Sequence, residues 1–353
     1  MPDTDEAVLI DLARGKFPSG LSPDRVDALY ELAATHGLLG FVQETLEQHK
    51  ILLPRWKDFV EQTELATKIQ LQAAAEAASA FGANNVDAIF VKGAALAVRI
   101  YERPLRPFND LDVLIRPAQL GAAHRALAGL GYTPNNALRN PIELDYVREK
   151  LPGFRICIDL HWDFTAEDGL QAGVRMPLDE ILTRKMTVRG IPIPVDEDAL
   201  LFAAANFARK CAEPLMLIFD VAKLLRRPLD FERVGERAHA WGLKTPLWAS
   251  ALLAQRMLDV EAPADFIGRL APPAGRARRL MAMLSGAQLW HTDKTASLRY
   301  RFLFKLRCVD SWSGLCAVAL GMPKGVLRKL GLTQNLAASV LRENAALTSP
   351  HRA

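Results

Sequence analysis

Neither a transmembrane helix nor a secretory signal is expected from this sequence. No stretch approaches the ~18 consecutive apolar residues of a spanning helix. The N-terminus, MPDTDEAVLIDLARG, has neither the basic start nor the apolar core of a secretory signal. Cysteine is scarce, and Cys157, Cys211, Cys308 and Cys316 show no CxxC spacing. That argues against a disulfide framework and a cysteine-based zinc site, and leads us to expect reduced thiols in a cytoplasmic protein. Neither GxGxxG nor GxxxxGK[ST] occurs, so Rossmann and P-loop readings lose support. Internal repeats and low-complexity tracts are absent. Acidic residues are nearly missing from one region: between Arg269 and Lys329 a series of arginines and lysines faces only Asp293 and Asp310. The whole chain carries a formal net charge of only +4, so the remainder is net acidic. A basic region of this kind suits a polyanionic partner such as a nucleotide, a nucleic acid or an anionic surface; a solvated helix face is the other reading.

The composition is otherwise that of a globular protein, with 50% hydrophobic and 24% charged residues. A length of 353 residues suffices for two or three domains. Three regions differ in pattern. Residues 1–82 read as helical: Pro23 and Asp24 open a segment that stops at Gly37, LLGFVQETLEQHK follows, and Arg55–Gly82 forms one long Ala-rich helix. Residues 83–195 mix strands and helices. VDAIFV and NDLDVLI are short buried strands, AALAVRIY is helical, and Pro117 starts a helix that Gly131 ends. FRICIDLHW alternates, with Ile156, Ile158, Leu160 and Trp162 on one face and Arg155, Cys157, Asp159 and His161 on the other. KMTVRGIPIPV is a hairpin turning at Arg189-Gly190. Residues 196–353 return to helices, with Asp196 as an expected cap and APPAG at 271–275 as a break. The fold class is α+β.

The chemistry gathers in VKGAALAVRIYERPLRPFNDLDVLI. Asp110 and Asp112 stand two apart on a strand, so both point to one face. Side by side they repel and resist burial unless a cation joins them. Asp159, on the polar face of an alternating strand, is the third candidate. Together the three carboxylates make a hard-oxygen site for Mg2+, or for Mn2+, and a two-metal site suits in-line displacement at phosphorus. Lys92-Gly93 ends an apolar run at a strand-to-helix turn. Gly93 would let a phosphate approach the backbone and the first amides of the next helix; a tight turn needing positive φ is the alternative. Arg106, in RPLRPFND, either neutralises a departing pyrophosphate or is a loop arginine. His161 either contacts the nucleotide or orients Asp159. Arg209, Lys210 and Lys223 are candidates to close over a triphosphate. Asp220, inside an apolar helix, requires a partner, and a salt bridge is the expected one.

Lys92-Gly93, Arg106, Asp110-Leu111-Asp112, Gly131-Tyr132 and Asp159-Leu160-His161-Trp162 together resemble the polymerase-beta-like nucleotidyltransferase superfamily, and more narrowly its bacterial uncharacterised nucleotidyltransferase family. The resemblance spans roughly residues 55–230. It implies a small mixed β-sheet core between N-terminal helices and a C-terminal helical domain. It also implies Mg2+-dependent transfer of a nucleoside monophosphate from an NTP to an acceptor hydroxyl on a small molecule, a peptide or protein, or an RNA. In that scheme Asp110 and Asp112 bind the metal at the nucleotide phosphates, while Asp159 holds a second metal and helps deprotonate the acceptor. Lys92, Gly93 and Ala94 hold the β and γ phosphates. Ala94 replaces the serine of the superfamily pattern and so lacks its hydroxyl. A catalytically weak nucleotide- or nucleic-acid-binding module on the same fold is the competing expectation.

Overall fold

The computed structural model describes residues 4–103, 105–135, 143–162, 173–285, 290, 298–311, 315–316 and 318. Four helices lead: α1 (Asp5–Ala13), α2 (Pro23–Ala28), α3 (Tyr30–His36) and α4 (Leu39–Gln48). The expected segment from Pro23 to Gly37 is therefore two helices, with Leu29 ending α2 and Gly37 ending α3. The long helix is α5 (Pro54–Ala83), 30 residues and so about 45 Å at 1.5 Å per residue.

The sheet region runs β1 (Ile89–Phe90), α6 (Lys92–Arg99), β2 (Asp110–Leu114), a 3-10 turn (Pro117–Gln119), α7 (Leu120–Gly129), β3 (Thr133–Pro134), β4 (Glu143–Leu151) and β5 (Phe154–His161). Helix α8 (Leu178–Arg184) and the hairpin of β6 (Met186–Val188) and β7 (Ile191–Ile193) close it, and the hairpin turns at Arg189-Gly190 as expected. The five-stranded sheet has the order β1-β2-β5-β4-β3. Only β2 and β5 are parallel; their neighbours are antiparallel, so the sheet is mixed. Among the described residues there follow the helices α9 (Asp196–Arg209), α10 (Met216–Leu225), α11 (Phe231–Trp241), α12 (Lys244–Leu258), α13 (Ala264–Leu270), α14 (Ala274–Met283) and α15 (Leu298–Cys308).

Two buried clusters organise these elements, and they do not follow chain order. One lies under the apolar face of the sheet, where Leu111, Val113, Leu144, Tyr146, Ile158 and Leu160 meet Ala73, Ala74, Ala77 and Phe81 of α5. Small alanines let the helix lie close to the strands. The other cluster unites helices that precede the sheet region with helices that follow it: α1 and α4 pack with α9, α10 and α12. Thr45 of α4 donates to the Leu12 carbonyl of α1 at 2.6 Å within it. Helix α5 joins both, with Trp56 in the helical core and Phe81 in the sheet core.

Asp196 does not cap α9. Val195 holds the N-cap position, and the Asp196 carboxylate instead takes Arg99 at 2.8 Å and Arg227 at 3.1 Å. A bidentate arginine offers a carboxylate more than a single backbone amide does. The 271–275 break is the turn between α13 and α14. In the basic region, Arg276 donates to the Val309 carbonyl, Arg307 to the Leu303 carbonyl, and Lys305 is buried. Lys294, Lys324, Arg328 and Lys329 lie outside the described residues. No helix among the described residues is long and apolar enough to cross a membrane. The four cysteines are free.

Candidate active site

Strand register assembles the site. In β2, Leu111 and Val113 face the core, which turns Asp110 and Asp112 to the opposite face. The parallel partner β5 sets Asp159 beside Asp112 and Cys157 beside Asp110. On the far side of β5, β4 sets Asp145 beside Asp159 and Glu143 beside His161. Asp110, Asp112, Asp159, Asp145 and Glu143 thus share one face, backed by an apolar core.

Asp112 is the ionised member. Its Oδ1 accepts from Lys92 Nζ and, at 2.9 Å, from His161 Nε2. Burial alone would favour the neutral acid, but the Lys92 and His161 contacts outweigh it and hold the carboxyl well below the usual range. His161 Nδ1 lies 3.5 Å from Glu143 Oε2, so the ring bridges β2 and β4. The sequence expectation that His161 orients Asp159 is corrected: its bond is to Asp112. Asp110 and Asp159 behave oppositely to Asp112. Burial, then the Asp112 charge, raises Asp110. Burial, then the charges of Asp110, Asp112, Asp145 and Glu143, pushes Asp159 up to about 8.

Oxygens of Asp112 and Asp159 and a nitrogen of His161 lie within 4.8 Å of one another, and Glu143, Asp145 and Asp159 form a second set of the same size. Asp159 belongs to both. Asp110 is in neither; it sits one strand repeat away on the same face. Carboxylates gathered without enough cations, with hard oxygens this close, fit a divalent ion. Glu143 and Asp145 are the site residues that the sequence reading missed. Their signal is the alternation of ELDY, Glu143 and Asp145 against buried Leu144 and Tyr146, the same pattern that marks β5.

The loop from Tyr101 to Asn109 sets the position of Asp110. Leu105 packs onto Gly40 of α4 so closely that a Cβ there would stand 2.6 Å from the Leu105 carbonyl oxygen. Phe108 packs onto Gly93 in the same way, 2.6 Å from where a Cβ would be. Gly93 therefore makes room for Phe108. The left-handed backbone at this turn belongs instead to Lys92, at φ 52°. Ala94 is fully buried in the sheet-side core, so its methyl group does not line the carboxylate face. Arg106 is neither a surface arginine nor turned to solvent. It is 4% exposed, and its Nε and Nη2 donate to the two oxygens of Asp220, each at 2.8 Å. Tyr101 Oη donates to the same carboxylate at 2.7 Å. Asp220 thus has the expected salt bridge, and its partner is the arginine assigned to phosphate.

Lys210 follows α9 at the surface, close enough that its charge favours ionised Asp110. Arg209 donates to Asn206 Oδ1 at 3.2 Å, and Lys223 lies over the Tyr101 ring, 5.0 Å from its centroid. Of the three cations proposed for a triphosphate, the structure relates Lys210 to the carboxylates.

The crystal structure of an antigenic nucleotidyltransferase-like protein from Paracoccidioides brasiliensis aligns with 57% of this chain and 95% of its own, at 14% identity and a TM-score of 0.36. No curated protein sequence matches the chain. The sequence profile of the uncharacterised nucleotidyltransferases matches residues 22–259, a span that takes in the sheet-side core cluster, much of the helical one and the whole carboxylate face. By that match, the chain belongs to the uncharacterised nucleotidyltransferase family.

Proposed function

We propose that the protein is a Mg2+-dependent nucleotidyltransferase that moves a nucleoside monophosphate from an NTP to an acceptor hydroxyl. The observation that carries this reading is the pairing of Asp112 with Asp159 across parallel strands, with Asp110 on the same face. Asp110 and Asp112 would hold the cation at the nucleotide phosphates, and Asp159 a second one; Mn2+ has the same ligand preferences. Bound there, divalent cations neutralise charge on the attacking and leaving oxygens. The acceptor oxygen bonds to the α-phosphorus, the bond to the bridging oxygen breaks, and pyrophosphate leaves. With a cation there to hold it as the carboxylate, Asp159 would take the acceptor proton. His161 holds Asp112 in place. Lys92, Gly93, Ala94 and Lys210 would receive phosphate oxygens, the buried Gly93 and Ala94 only through backbone amides at the start of α6. Arg106 has no phosphate role here, because Asp220 fills its fork.

The acceptor is a small molecule, a peptide or protein, or an RNA, and the cytoplasm is the proposed location. A weaker reading, a nucleotide- or nucleic-acid-binding module, draws on the buried Ala94, which supplies no hydroxyl, and on the basic 269–329 region as a polyanion contact. Incubation with each NTP, Mg2+ and acceptor candidates, followed by intact-mass analysis, separates the two. The first reading predicts an added nucleoside monophosphate that vanishes in Asp110→Ala with Asp112→Ala. NTP binding without transfer to any acceptor would favour the second, and undiminished transfer by the double variant would remove the metal assignment.

A further inference from the structure

Asp220 stands on α10, in the helical core, yet reaches the loop that leads into β2. Its carboxylate is 1% exposed and accepts three hydrogen bonds, two from Arg106 and one from Tyr101. Asp220 lines one small pocket with Lys92, which itself bonds Asp112. Arg106 lies four positions before Asp110 and is near enough to feel its charge. A buried guanidinium in that place has two carboxylates within electrostatic reach. If it paired with Asp110, that carboxylate would be lost to any other cation.

We infer that Asp220 is a positioning residue: it holds Arg106 off Asp110 and pins the Tyr101–Asn109 loop to α10, which leaves the Asp110 carboxylate open to a divalent cation. This inference rests on the proposed metal role of Asp110. It accounts for a bidentate buried pair between residues 114 positions apart that joins the helical core to the catalytic loop. It also accounts for close packing of the same loop at Gly40 and Gly93, which fixes it against α4 and α6 while Asp220 fixes it against α10.

The test is calorimetric titration of the full chain with Mn2+, with hydrogen exchange of segment 101–110 as a second readout. Asp220→Asn should weaken Mn2+ binding about tenfold or more, the scale of lost outer-sphere support. Exchange in 101–110 should rise. Arg106→Gln combined with Asp220→Asn removes the misdirected cation and should recover most of the affinity, which a merely structural role would not allow. Asp198→Asn breaks another buried ion pair and should leave Mn2+ affinity unchanged. If Asp220→Asn fails to fold, Tyr101→Phe removes one bond to Asp220 without stranding a charge; it should raise exchange in 101–110 and lower affinity about threefold, less than the ~10-fold expected when the whole carboxylate is lost. Wild-type affinity in a folded Asp220→Asn protein, no recovery in the double variant, or no change in Tyr101→Phe would each overturn the inference. Absence of Mn2+ binding to the wild-type chain would instead sink the metal reading itself, and the inference with it.

Discussion

The helical core and the sheet treat acidic residues in opposite ways. In the helical core each buried aspartate near the sheet meets arginine: Asp196 meets Arg99 and Arg227, Asp198 meets Arg184 and Arg237, and Asp220 meets Arg106. On the sheet, Asp112 has Lys92 and His161, but the carboxylates of Asp110, Asp145 and Asp159 have no hydrogen-bond or ion-pair partner among the described residues. Pairing does not cancel burial everywhere, since burial still raises Asp198 despite its two arginines. The difference is nevertheless clear. The helical carboxylates hold the fold together, whereas the sheet carboxylates work against it until something positive arrives.

The comparison breaks most sharply in activity. Asp110→Ala with Asp112→Ala should lower transfer by about 10³-fold, the equivalent of several kcal/mol of charge stabilisation. Asp198→Ala should leave the residual protein active, measured per folded molecule by the same mass assay. Stability should show the reverse order. Asp198→Ala strands two arginines and should cost about 3–5 kcal/mol in urea unfolding. Asp159→Asn should raise the metal-free midpoint at neutral pH, because the amide need not be kept protonated among like charges as the carboxyl must.

The same asymmetry has a pH signature. The Asp159 carboxyl is raised when folded, so between about pH 4 and pH 8 the folded state keeps a proton that the unfolded chain releases. Metal-free stability should therefore fall as pH rises through that window, and Asp159→Asn should flatten the slope. A slope equal in both proteins would place the titrating group elsewhere. The smallest effect concerns the loop: Gly93→Ala sets a methyl group against Phe108 and should cost about 1–3 kcal/mol by overpacking, read as a lower melting temperature.

The parts legible in the sequence were those with a period. Alternation in FRICIDLH marks β5, DLD marks one polar face of β2, and a run free of proline and glycine between Trp56 and Phe81 marks most of α5. ELDY carries the same alternation in β4, and reading it would have added Glu143 and Asp145. Arg106 was illegible for a different reason. Nothing local distinguishes an arginine that faces phosphate from one that faces a carboxylate 114 residues later. Asp220 was half legible: its apolar surroundings announced a need for a partner without naming it. The shared core of α1, α4 and α9–α12 was likewise hidden, because amphipathic helices reveal which face is buried but not against what.

The central claim is that the sheet carboxylates hold a divalent cation that receives a nucleotide. Diffraction at the manganese edge from crystals grown with Mn2+ and a non-hydrolysable NTP tests it most directly. The account predicts anomalous density between Asp112 and Asp159, with phosphates at the start of α6. Nucleotide bound elsewhere, with no ion on that face and Lys92 still bonded to Asp112, would contradict it.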